Sequence, residues 1–198
     1  MSDGLTQTPY LTEAEREQLL SRWREPHRKY HNLDHLRTVL AALDEIRSAG
    51  VDFDHEVVTL AAWFHDAIYE IGAPDNEEQS AVLAENMLAD RPCATEVARL
   101  VRATSDHSID LTDLNASALC DADLSILSSD SSRYSKYCAA VRDEYSQFED
   151  GLYRDGRSRV LKHLLNLERL FNTEFGHENW ELRARRNLKA ELRSLQPN

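Results

Sequence analysis

Apolar residues recur at three-and-four spacing along most of the chain, the pattern of amphipathic helices. Thr12-Glu13-Ala14-Glu15 reads as an N-cap with a capping-box glutamate, opening a helix toward Trp23 that Pro26 stops. A second helix is expected from Leu33 to Ala49, with Leu36, Val39, Leu40, Leu43 and Ile46 on one stripe and Gly50 just past its end. A third runs from Asp54 to Tyr69; its part from Val57 to Phe64 is apolar nearly all round, which places it at the centre of the fold. Gly72-Ala73-Pro74-Asp75 is a turn, and a fourth helix starts at Asn76, with Glu77 and Glu78 complementing its dipole, and fades at Asp90-Arg91-Pro92.

Further helices are expected at Ala94–Ser105, Ala116–Leu127, Ser132–Phe148, Ser158–Phe171 and Glu178–Leu195. No alternating run of strand length stands out, and there is no internal repeat. Asp150-Gly151 and Asp155-Gly156 read as one late loop, too short for a domain boundary. The expected architecture is all-α, a single-domain helical bundle over residues 1–198. Its chemistry would lie within about 22–150, with C-terminal helices over 155–195 packed on that part.

Composition narrows the function classes. The 198 residues can bury a core without disulfides or structural metal. Lys and Arg number 23 against 35 Asp and Glu, a net charge of −12 that repels nucleic-acid polymers and anionic membranes. Cys93, Cys120 and Cys138 are scattered and read as small buried residues, not as a disulfide framework. Met1 to Tyr10 is polar and lacks the apolar stretch of a secretory leader, and no run is long enough to span a bilayer, so the expected location is the cytoplasm.

Three acidic-histidine clusters then stand out: Tyr30-His31-Asn32-Leu33-Asp34-His35, the doublet His65-Asp66 within an apolar stretch, and Asp121-Ala122-Asp123-Leu124. Together they offer imidazoles and carboxylates suited to a divalent metal, which typically makes a hydrolytic nucleophile out of water. Each has a plainer reading. His31 and His35 could be a helix-start and a surface histidine; His65 and Asp66 a buried hydrogen-bonded pair; one of Asp121 and Asp123 could face solvent. The two aspartates lie about 200° apart on an ideal helix, so they should not share one role.

The order His, His-Asp, Asp on an all-helical chain resembles the HD-domain superfamily of metal-dependent phosphohydrolases. The matching residues are His35, His65-Asp66 and Asp123. Tyr-His-Asn-x-x-His and Ala-Asp-Leu-Ser are also similar to the cyclic-nucleotide phosphodiesterases of that group. Tyr30-His31-Asn32-Leu33, Trp63-Phe64-His65-Asp66, Asn76-Glu77-Glu78-Gln79-Ser80-Ala81 and Asp121-Ala122-Asp123-Leu124 together resemble small bacterial HD phosphohydrolases, over roughly Arg22 to Leu195.

The resemblance implies that His35, His65, Asp66 and Asp123 hold the metal, that Asp66 also orients the water, and that His31 is the general acid. The ion would be Mn, Mg, Fe, Ni, Co or Zn. The substrate would be a small phosphate ester, a nucleotide or another phosphorylated metabolite. His107, Arg28, Asn76 and Glu77 are candidate substrate contacts, and Asp121 would support the site from behind. His107 could instead interact with a helix dipole, and Asn76 and Glu77 could simply cap a helix. His27, His55, His163 and His177 read as surface or structural. Tyr134, Tyr137, Val141 and Tyr145 read as a packing stripe in preference to a phosphate site with Lys136 and Arg142. Two other functions use the same features: a non-catalytic metal or nucleotide sensor, and a di-iron oxygenase, for which only His107 could add a ligand.

Overall fold

The computed structural model describes residues 8–107 and 109–195; most of the Met1–Tyr10 reading lies outside them. The described residues form α1 (Glu13–Trp23), α2 (Leu33–Ser48), α3 (His55–Phe64), α4 (Asn76–Met87), α5 (Ala94–Ala103) and α6 (Leu114–Leu124). A 3₁₀ turn (Ser125–Ser128) follows, then α7 (Ser131–Glu144), α8 (Asp150–Asn166), α9 (Glu174–Asn179) and α10 (Glu181–Ser194). No strand occurs among the described residues, so the all-α expectation is met. None of these helices is long and apolar enough to cross a membrane.

Local signals set the helix ends. Thr12 and Glu15 form the expected capping box, and Gly50 takes the left-handed conformation (φ 91°) that ends α2. α3 is buried at every position from Val57 to Phe64 and packs against α2, α4, α5 and α6. Around it one continuous core runs from Leu11 to Leu188. The three cysteines are unpaired.

Several boundaries differ from expectation, two of them where distant groups satisfy the backbone. α3 ends at Phe64, not Tyr69. The carbonyls of Asp66 and Ala67 are taken by the Arg28 guanidinium at 2.6 and 3.2 Å, and Ser80 Oγ bonds both the N–H and the carbonyl of Ile68. The second correction concerns α8, which starts at Asp150 and carries Gly151 and Gly156 inside it, where a loop was expected. Asp150 lies in the first turn, where a carboxylate complements the dipole, and accepts a 2.7 Å bond from Arg142. At the other end α8 stops at Asn166, five residues before Phe171. There Arg185 takes the carbonyls of Leu165, Leu167 and Glu168, and the Glu181 carboxylate caps the N–H groups of Leu170 and Phe171.

Candidate metal centre

The centre sits where α2, the end of α3 and the end of α6 meet. His35 is in the first turn of α2, whose N-cap Asn32 accepts from the Asp34 N–H. His65 is the C-cap of α3 and Asp66 follows it in the turn. Leaving the helix here lets both side chains of the doublet approach one point. Asp123 comes from the last turn of α6.

His35 Nε2 lies 3.1 Å from His65 Nε2, 3.1 Å from Asp123 Oδ1 and 3.5 Å from Asp66 Oδ2. His65 Nε2 lies 3.3 Å from Asp66 Oδ2 and 3.6 Å from Asp123 Oδ1. His65 Nδ1 donates to the Ala62 carbonyl at 2.8 Å, so in the neutral ring Nε2 presents a lone pair to the cluster. His35 has no such second bond; its buried Nδ1 has no partner among the described residues. Its ring is oriented instead by Tyr30, at 4.9 Å between centroids, and Trp23, at 6.2 Å.

Such a convergence of electron pairs calls for positive charge. Burial alone would push both imidazoles down, but the Asp66 and Asp123 carboxylates raise His35 and raise His65 further. Burial would likewise push Asp66 and Asp123 up; the imidazoles hold both well below the usual carboxylate range. The ligand atoms of His35, His65 and Asp66 all lie within 4.8 Å of one another. Two nitrogens and carboxylate oxygens form a donor set that fits a borderline divalent ion.

Asp123 also faces outward. Its Oδ2 lies 3.0 Å from His107 Nε2, and His107 has a left-handed backbone (φ 57°). A non-glycine residue held there is strained, and such strain persists where the surroundings over-determine it. His107 thus joins the site through Asp123.

His31 stands beside the cluster, its ring 5.7 Å from that of His35. The residue that fixes it is Glu144, which the sequence reading missed. Glu144 Oε2 accepts from the N–H groups of Lys29, Tyr30 and His31 at 2.8, 2.9 and 3.0 Å. Oε1 lies 2.5 Å from His31 Nδ1 and accepts from the Tyr69 hydroxyl at 2.8 Å. Tyr69 also stacks on the His31 ring at 4.3 Å. Although burial opposes it, these donors hold the Glu144 carboxyl at about 2. An anionic acceptor at Nδ1 leaves Nε2 as the free nitrogen of His31. His31, His107 and Asp123 all border one cleft.

The other expected contacts are elsewhere. Arg28 is buried beneath the doublet, its donors spent on Glu25 and on the carbonyls of His31, Asp66 and Ala67. Asn76 is buried and pins both backbone groups of Glu70, and half-buried Glu77 lies in the first turn of α4. None of the three, read from the sequence as candidate substrate contacts, borders the cleft. Asp121 points away from the cluster. It accepts from the Asn172 N–H at 2.6 Å and from the Thr173 N–H and hydroxyl at 2.8 and 2.7 Å. It supports α9, not the metal ligands. Of the aromatic stripe, Tyr137, Val141 and Tyr145 border the cleft, whereas Tyr134 bonds Glu191.

Compared with protein-family models, with curated proteins and with solved structures, the chain matches none of them.

Proposed function

We propose that the protein is a metal-dependent hydrolase of a small phosphate ester, of the HD type that the sequence motifs resemble. One observation carries the reading. Four residues drawn from three separate stretches of sequence, His35, His65, Asp66 and Asp123, bring their side-chain nitrogens and oxygens together beside a cleft that Asp123 and His31 border. A divalent ion bound there would activate water and screen phosphate charge.

The chain's own residues supply the rest. Asp66 and Asp123 bring the negative charge that retains a cation and accept hydrogen bonds from a nearby water. His107 holds Asp123 in its rotamer. His31 supplies a proton to the departing oxygen from Nε2, while its Nδ1–H donates to the Glu144 carboxylate, which fixes the orientation of the ring. Tyr69 packs flat on that ring and keeps it from turning.

The test is the leaving-group dependence of His31→Ala. A general acid matters for an alkoxide and little for nitrophenolate, which leaves without a proton. His31→Ala should keep its metal and lose ~10²–10⁴-fold on alkyl phosphates, the usual general-acid contribution. The loss on nitrophenyl phosphates should be much smaller. Equal losses with the metal retained would assign His31 a positioning role; loss of the metal would make it a ligand.

A further inference from the structure

The cleft has two unlike ends. It encloses about 780 Å³, within the range of small-molecule sites. Its inner end is His31, His107 and Asp123. Its outer wall, from α7, α8 and the segment between them, is built from Val141, Phe148, Leu152, Val160 and Leu164. Some polar groups at this wall are already engaged, while Arg159 borders the same space from an exposed position. Arg157 is clamped between Glu191 and the Tyr137 hydroxyl, and Arg142 covers the Tyr153 ring at 4.7 Å. His163, at the exposed rim, hydrogen-bonds to the Asp106 carbonyl.

The face of α8 turned to this space is unusual. Leu152 and Val160 are 64% and 48% exposed, eight residues apart and hence on one side of the helix. Midway between them is Gly156, which also borders the cleft. Glycine destabilises a helix interior relative to alanine, and no neighbour requires one here: a Cβ at Gly156 would meet nothing within 4 Å. The missing side chain therefore adds room to the cleft and solves no packing problem.

We infer that this wall receives the alcohol part of the substrate, and that this part is an apolar alkyl or aryl group. A sugar or nucleobase would bring donors and acceptors of which this mainly aliphatic and aromatic wall can pair few. Gly156 sets how large the group can be. The inference rests on the phosphohydrolase reading for the other end of the ligand.

Non-hydrolysable alkylphosphonates test it without turnover. Methyl-, butyl- and octylphosphonate, octanol and adenosine monophosphate are titrated calorimetrically into manganese-loaded and chelator-treated protein. Affinity should rise with chain length, up to about fourfold per buried methylene. Octylphosphonate should bind at least on the order of tenfold more tightly than adenosine monophosphate, given the wall's mainly apolar lining. Gly156→Leu should flatten the series while keeping helix content and metal content. A series flat in the wild-type protein, a rise that survives Gly156→Leu, or adenosine monophosphate binding as tightly as octylphosphonate would each overturn the inference. Octanol binding as tightly as octylphosphonate, with or without metal, would leave an apolar cleft but refute the phosphohydrolase reading, and the ester with it.

Discussion

Asp121 and Asp123 are two residues apart on one helix and both carry buried carboxyl groups, yet their surroundings are opposite. Asp123 faces two imidazoles and a third across its outer oxygen, and they hold it well below the carboxylate range. Asp121 meets two backbone N–H groups and a hydroxyl, and burial pushes it up to about 7 in spite of them. The cation-seeking carboxylate lies where the chain gathers electron pairs; the structural one lies where it gathers neutral donors. Both are largely shielded from water, and only the partners separate the proposed ligand from a tether.

The comparison breaks most visibly at Asp123. Asp123→Asn should reduce hydrolysis to background and empty the site of metal, whereas Asp121→Asn should retain the metal. The check is activity on a phosphate-ester panel beside metal analysis of the same samples; the reverse order would move the ligand to Asp121.

The tether side is tightest at Gly176, where an added Cβ would come 2.5 Å from Asp121 Oδ2 and 2.9 Å from Phe171 Cβ. Gly176→Ala should destabilise the fold by about 2–3 kcal/mol, the range for overpacking, read as a lower urea midpoint. Asp121→Asn should cost somewhat less, about 1–2 kcal/mol, because an amide N–H would then oppose a backbone N–H.

The smallest effects sharpen the contrast through pH. The Asp121 carboxyl binds its proton more tightly folded, near 7, than its ordinary value of 3.8. Its contribution to stability is therefore full below 3.8 and is lost as pH rises through about 7. Glu144 has the opposite sign. Its folded value of about 2 lies below the ordinary 4.5, so its contribution is present above 4.5 and lost as pH falls through about 2. Urea midpoints of wild type against Asp121→Asn and Glu144→Gln should diverge in opposite directions along the pH axis. Parallel curves would contradict both assignments.

The set His35, His65, Asp66 and Asp123 was read from the resemblance of three local motifs, whereas the helical class was legible because short-range spacing carries it. The capping box at Thr12 and the all-round apolar stretch of α3 were legible for the same reason. What escaped depends on distance along the chain. Glu144 is one acid among 35 Asp and Glu, and its partners lie 75 to 115 residues earlier. The end of α3 at Phe64 is set by Arg28, 38 residues before Asp66. α8 was misread because Asp-Gly pairs are strong turn signals; here Asp150 lies in the first turn of the helix, where it accepts from Arg142, and Gly156 borders the cleft. Arg28 beside His31 looked like a phosphate contact, yet its guanidinium is used to bend the backbone that presents the doublet.

The most direct measurement is elemental analysis of the purified wild-type protein, His65→Ala and Asp66→Ala, with circular dichroism on each. The account predicts stoichiometric divalent metal in the wild type and its loss in both variants, with helix content unchanged. Full metal occupancy in both variants, or a wild-type protein that retains no divalent ion when purified with manganese present, would contradict it.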